Sequence, residues 1–198
     1  MKKIDLYKKI DAAKINLKAG NPFEANKIFQ ELLKTNNNSF DLLYEYGLFC
    51  KNLKNYNLAK RVFLTLIRKF PSSINSHILL AEILRIENKF NDAEKVLKKA
   101  LKINPNYSEL LYNLALLYFA LRNFDHALIY IDKAIKVSRN NYIYQLLKSE
   151  IYINNYNIDD ALYILEDLKN NIKGQKDNNK KIRIYILLSN AYLKNREY

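Results

Sequence analysis

Residues 106–141 read NYSELLYNLALLYFALRNFDHALIYIDKAIKVSRNN, and the rest of the chain is built on the same plan. Leu111, Leu114, Ala115 and Tyr118 recur at spacings of three and four, the period of one helix face. Arg122-Asn123 makes a polar break, after which Ala127, Ile131 and Ala134 resume the same spacing. Pro105 before the stretch and Asn140-Asn141 at its end punctuate it. The reading is a hairpin of two helices.

Outward from that hairpin, the chain aligns with itself at a period of 34 residues, without a gap, from Leu6 to about Asn171. Ala25, Ala59, Ala93, Ala127 and Ala161 fall in one column, although only 14 of the 198 residues are Ala. A larger apolar column follows: Phe29, Phe63, Leu97, Ile131 and Leu165. A third holds Leu32, Leu66, Ala100, Ala134 and Leu168, and a small column holds Ala13, Gly47, Ala81, Ala115 and Ser149. Where two helices cross closely only a small side chain fits, and large neighbours fill the space around it. The sequence therefore predicts one all-α domain over residues 1–198. Its repeats run over 6–39, 40–73, 74–107, 108–141 and 142–175. Breaks are expected at Gly20-Asn21-Pro22, Leu53-Lys54-Asn55, Glu87-Asn88-Lys89, Arg122-Asn123 and Asn155-Tyr156-Asn157.

After Asn171 the period slips by six residues, within the polar stretch 172–181. A sixth first helix is predicted over Ile182–Lys194, in a partial repeat or cap spanning 182–198. Its expected face is Tyr185, Leu188, Ser189 and Tyr192, as apolar as that of an internal repeat. Solenoid ends need capping: either this helix is the cap or the architecture continues beyond the chain, and, with no polar cap face, the open end is expected to meet another chain, including by self-association.

Composition removes several classes of function. Apolar residues make up 49% of the chain, too many for disorder, and three Gly and three Pro leave long helices uninterrupted. A lone Cys excludes an internal disulfide and a cysteine metal cluster. No apolar run reaches membrane-spanning length, and Met1-Lys2-Lys3 leads into no apolar leader, so a cytoplasmic protein is expected. The net charge of +13 raises nucleic acid as a partner. Its distribution argues against that: residues 1–18 carry +4 and residues 169–183 carry +5, while Ser108–Asn141 carries +1. With 27 Asn and 26 Lys against 7 Arg, a compositional drift accounts for much of the charge. No cofactor is implied, since Gly at 20, 47 and 174 cannot form a phosphate loop.

Few residues invite a catalytic reading. His77 shares a column with Leu43 and Leu111 and is expected to be packed, whereas His126 is expected to be exposed; two isolated histidines make no metal site. Cys50 stands in the column of Tyr118 and Tyr152, as a core thiol would. Asp159-Asp160 opens a second helix, where carboxylates suit the dipole. The chain is read as no enzyme.

The columns resemble those of the tetratricopeptide repeat family. Asn113-Leu114-Ala115-Leu116-Leu117-Tyr118, Asn123-Phe124-Asp125-His126-Ala127 and Lys133-Ala134-Ile135 carry the resemblance, as does Lys89-Phe90-Asn91-Asp92-Ala93 through to Pro105. Asn37 departs from it, standing where the terminal proline would. Tyr44 to Phe49, with Ala59 to Phe63, also looks somewhat like the half-a-tetratricopeptide variant of RNA-processing scaffolds.

The resemblance implies a right-handed α-α superhelix of antiparallel helix pairs whose first helices form a concave wall. It further implies a noncatalytic scaffold or adaptor that takes a peptide or helix of a partner protein. The alternatives are a structural subunit of a larger assembly and an RNA-associated scaffold. By the resemblance the groove would be Ile78, Glu82, Arg85, Tyr112, Leu116, Phe119, Leu146 and Glu150. Its aromatics would be the expected anchors. The family's two-carboxylate clamp for chaperone tails is not matched. Its first set of positions holds Ile10, Lys14, Glu45, Asn75 and Leu79, where Glu45 would repel a carboxylate.

Overall fold

The computed structural model describes residues 3–172 and 177–196, and the regular structure among them is entirely helical. The helices are α1 (Lys3–Lys18), α2 (Pro22–Asn36), α3 (Phe40–Asn52), α4 (Tyr56–Lys69), α5 (Ile74–Ile86) and α6 (Phe90–Ile103). They continue with α7 (Ser108–Ala120), α8 (Phe124–Val137), α9 (Tyr142–Asn154), α10 (Ile158–Asn171) and α11 (Asn178–Asn195). Two compact units are formed, Met1–Val96 and Leu97–Tyr198, with the division inside α6. In the first, α1 packs on α2, α2 on α3, α3 on α4 and α4 on α5. In the second, α7 packs on α8, α8 on α9, α9 on α10 and α10 on α11. The fold is an all-α solenoid of antiparallel helix pairs.

The columns read from the sequence are the core. All five alanines of the first column are fully buried, as are Phe63, Ile131 and Leu165 of the large one. Each such large side chain contributes roughly 1.5–3 kcal/mol on burial. Gly47 shows why the small column is small. A Cβ at that position would lie 2.8 Å from the Phe63 ring of the partner helix α4.

First helices bury two stripes, one on each neighbour. In α3, Tyr46 and Phe49 face back to α2, with ring centroids 5.5 and 5.1 Å from that of Phe29. Gly47, one position along the helix from Tyr46, meets α4 instead. In α7 the forward stripe, Leu111, Ala115 and Tyr118, is buried where Tyr118 stacks on Tyr130 of α8 at 5.4 Å.

The predicted breaks share a backbone device. Gly20, Lys54, Asn88, Arg122 and Tyr156 all have positive φ, between 57° and 80°, and recur every 34 residues. The left-handed residue lets the chain reverse within a few positions; only the first is the glycine that escapes the steric penalty. Asn55 and Asn123 then cap the next helix, their side chains accepting from Leu58 N and His126 N at 3.2 Å. Some of the asparagine excess thus has a local structural use that the composition alone does not suggest.

The last helix differs from expectation in start and in phase. It begins at Asn178, four residues before Ile182, because Asp177 caps it by accepting from Lys180 N at 3.1 Å. Of the expected face only Leu188 is buried; the buried stripe is Ile184, Leu188 and Ala191, packed with Leu165 and Leu168 of α10. Tyr185, Ser189 and Tyr192 are exposed. The slip of six residues places Ile184, Leu188 and Ala191 under Leu110, Leu114 and Leu117, the backward stripe. No second helix follows within the described residues, and among them the forward stripe stays uncovered. Lys173 to Lys176, including the predicted end of the fifth repeat at Gln175, lie outside the described residues, as do Met1, Lys2, Glu197 and Tyr198.

Candidate functional site

In each unit, side chains of successive first helices meet one another. In the first unit, charge pairs connect successive first helices. Lys14 of α1 meets Glu45 of α3 at 2.9 Å, and Lys51 of α3 meets Glu82 of α5 at 2.6 Å. Each pair joins residues 31 apart, so the contact recurs between one first helix and the next. Lys14, the cation among the positions compared with the chaperone clamp, is thereby tied to Glu45. Of the groove residues expected in this unit, Glu82 is held by Lys51, Arg85 is half-buried, and Ile78 is buried rather than facing outward.

In the second unit the first helices meet around a recess instead. Tyr112 and Leu116 of α7, Leu146 and Glu150 of α9 and Ile186 of α11 line a recess of about 340 Å³. Arg183, Ile143, Leu147 and Leu187 complete its wall. The Tyr112 ring is stacked on Tyr144 at 5.0 Å, which fixes its orientation at the rim. Phe119 is half-buried against Phe124, with ring centroids 6.2 Å apart. Leu146 is buried but still forms part of the recess floor.

Glu150 gives this recess its polar character. Among the described residues its carboxylate has no hydrogen-bond or ion-pair partner. Burial raises its carboxyl above the usual glutamate value, and the positive charge of Arg183 opposes that rise without cancelling it. Glu150 stands in the column of Glu82, and the position corresponding to Lys51 is Phe119. The repeat supplies a lysine partner in the first unit and an aromatic ring in the second. A half-buried carboxylate facing an apolar recess can accept hydrogen bonds or a cation from a guest.

Five predicted residues, Tyr112, Leu116, Phe119, Leu146 and Glu150, therefore lie in one unit, and all but Phe119 line one recess. Sequence reasoning missed Arg183, Ile186, Leu187, Ile143 and Leu147. The signal existed. Ile143 and Leu147 continue the columns of Glu109 and Asn113, and the slip of six places Arg183 and Ile186 under Glu109 and Tyr112.

The residues that might suggest chemistry behave as structural parts. His77 is buried, with Nδ1 2.9 Å from the Ser73 carbonyl and Nε2 without a hydrogen-bond partner among the described residues. His126 is exposed and stacks on Tyr118 at 5.1 Å. Cys50 is buried, and burial pushes its thiol up to about 11, leaving little thiolate at neutral pH. Among the described residues no three His, Cys, Asp or Glu side chains gather as metal ligands, and no helix is long and apolar enough to cross a membrane.

Comparison with known proteins agrees with this architecture. The tetratricopeptide repeat family profile matches residues 84–151. No curated protein sequence matches the chain. A thermophilic TPR protein of Thermus thermophilus is similar in structure, with a TM-score of 0.74 at 21% identity, over 92% of this chain and 98% of that one. MamA from Desulfovibrio magneticus RS-1 superposes with a TM-score of 0.72 at 18% identity, over 87% of this chain and 97% of the other. YrrB, described as a TPR protein with an unusual peptide-binding site, gives a TM-score of 0.60 at 17% identity, over 88% of each chain. With repeats of 34 residues, paired helices and small residues at every crossing, the chain has the fold of the tetratricopeptide repeat family.

Proposed function

We propose that the chain is a noncatalytic protein-binding scaffold or adaptor, acting in the cytoplasm, that takes a peptide or helix of a partner on its inner surface. The single observation that carries this is the recess of about 340 Å³ beside Tyr112, Leu116 and Glu150. It is apolar at its floor, has an aromatic at its rim, and holds a carboxylate that no described side chain pairs with. Recognition surfaces commonly combine an apolar centre with a few polar handles. YrrB, similar in fold, is described as having a peptide-binding site. The remaining predicted groove residues, Ile78, Glu82 and Arg85, belong to this reading as flanking positions. Selecting peptides from a displayed library on the full chain tests the reading. Replacing Leu116 with Lys and Phe119 with Ala should weaken the selected peptide about tenfold or more at unchanged helicity. Unchanged affinity would remove the recess from the interface.

A second reading, a structural subunit of a larger assembly held at its C-terminal end, is supported by the exposed Tyr185 and Tyr192 of α11. Self-association through that end should appear as a concentration-dependent mass in light scattering. An RNA-associated role has weaker support. Lys14, Lys51, Lys60, Lys89, Lys148 and Lys169 are each within ion-pair distance of an acid rather than free for phosphates.

A further inference from the structure

The recess of the second unit holds two charges of unequal standing. Glu150 and Arg183 are the acid and the base of its wall, and among the described residues no hydrogen bond or ion pair joins them. Arg183 is exposed, so water solvates its guanidinium with or without a guest. Glu150 is half-buried, and burial acts on its carboxylate more strongly than Arg183 does. The unmet charge of the recess is negative.

The repeat itself shows what a carboxylate at this position takes. Glu82, one repeat position with Glu150, accepts from Lys51 Nζ at 2.6 Å. Phe119 stands where Lys51 does and brings no charge. Three lysines of α9 and α11 are engaged elsewhere: Lys148 meets Asp132 at 2.8 Å, Lys180 lies over the Tyr142 ring at 4.5 Å, and Lys194 donates to the Ile153 carbonyl at 3.2 Å. Around Glu150 the wall is apolar, from Leu116 on α7 through Leu146 on α9 to Ile186 and Leu187 on α11. A lysine suits both features, because its four-carbon stem lies along apolar surface while its ammonium reaches a carboxylate. An acidic side chain would meet Glu150 as a like charge, and an aliphatic one would cover the carboxylate and leave it unpaired.

We propose that the recess recognises a peptide segment of a partner protein in which a lysine is flanked by apolar side chains, its ammonium pairing with Glu150 as Lys51 pairs with Glu82. The proposal rests on the reading of the recess as a peptide site and adds the chemistry of the guest.

The test selects short random peptides from a displayed library on the full chain and measures the binders, fluorescently labelled, by anisotropy. The binders should carry a lysine beside leucine, isoleucine or an aromatic residue. Replacing that lysine with methionine should weaken binding about tenfold. On Glu150→Gln the same replacement should matter less than about twofold, since the charge partner is gone. Arg183→Gln should tighten the lysine peptide about twofold by removing a like charge across the recess. Both variants should keep the helical circular dichroism of the parent chain.

Binders without a lysine, or a lysine-to-methionine loss as large on Glu150→Gln as on the parent chain, overturn the proposal. Acidic binders that Arg183→Gln weakens overturn it in favour of the opposite charge. In either case weakening by Leu116→Lys keeps the recess as a peptide site. Binders indifferent to Leu116→Lys, or no binders at all, remove that reading as well. A dimer in light scattering that Leu116→Lys dissociates would overturn the proposal by giving the recess to a second copy of the chain.

Discussion

The two units build their first helices from the same columns and surround the same glutamate position in opposite ways. Glu82 in one and Glu150 in the other occupy the same repeat position. Glu82 reaches Lys51 at 2.6 Å, and a second pair, Lys14 with Glu45, continues the pattern on the same unit. Glu150 finds Phe119 in the lysine's place, and its carboxyl is pushed toward the neutral form by burial. In the first unit the charges satisfy one another. In the second a charge is left beside an apolar recess, which costs stability unless a guest compensates it. The contrast teaches that repeat position fixes where a side chain points, while the residue one repeat earlier decides whether it is available.

The largest test of this contrast concerns the small column. Gly47→Ala forces a Cβ to 2.8 Å from Phe63 and should destabilise the chain by about 1–3 kcal/mol in urea unfolding. Ser149→Ala, at the same repeat position in the second unit, removes only the hydroxyl that donates to the Leu146 carbonyl at 2.8 Å. It should cost about 1 kcal/mol or less. Equal losses would mean that the two crossings are packed alike.

The paired glutamates should then respond with opposite sign. Glu82→Gln breaks a partly exposed ion pair and should lower stability by about 0.5 kcal/mol. Glu150→Gln removes a half-buried, unpaired charge and should leave stability unchanged or raise it by a similar amount, about 0.5 kcal/mol. A loss at Glu150 as large as that at Glu82 would show that Arg183 already neutralises it.

Acid titration sharpens the same comparison. In the first unit, hydrogen bonds from Lys60 and then Lys89 hold the Glu87 carboxyl below its ordinary value. Its stabilising effect is therefore present above the ordinary glutamate value and is lost as pH falls through the lowered one. Glu150 is raised, so its effect is present below the ordinary value and is lost as pH rises through the raised one. Following Tm from about pH 3 to about pH 7, Glu87→Gln should flatten the acid limb and Glu150→Gln the limb above it. Should neither substitution alter its limb, other carboxylates govern the profile.

The smallest effect is expected where the units agree. Lys54 and Arg122, one in each unit, both hold φ of 57°. Replacing either by Gly relieves a Cβ penalty of roughly 1 kcal/mol, but the glycine's greater freedom when unfolded returns a similar amount, so the net gain should be no more than about 0.3 kcal/mol. A gain at one turn and a loss at the other would mean that their similar backbones are held by different surroundings.

Much of the fold was legible because close helix crossings leave a record in side-chain size. Ala25, Ala59, Ala93, Ala127 and Ala161 are all fully buried where the period puts them. The left-handed turns were visible only as polar breaks, since Lys54, Arg122 and Tyr156 have no compositional mark of positive φ. On α11 the letters show two apolar stripes, and nothing in them says which neighbour is present. Periodicity alone therefore puts Tyr185 and Tyr192 inside, whereas Ile184 and Ala191 hold the helix down. The site was legible by column and not by pairing. Glu82 and Glu150 look equivalent until Lys51 and Phe119 are compared, and the wall from Arg183 and Ile186 appears only when the columns are carried across the slip of six.

The backward stripe has a consequence for how such a chain can change length. Ile184, Leu188 and Ala191 dock on α10 with the register that Leu42, Tyr46 and Phe49 use on α2. A junction this interchangeable accepts whole hairpins as its unit of insertion or deletion. Lineages can lengthen or shorten the array by copying a genetic cassette, leaving every remaining joint to form as before.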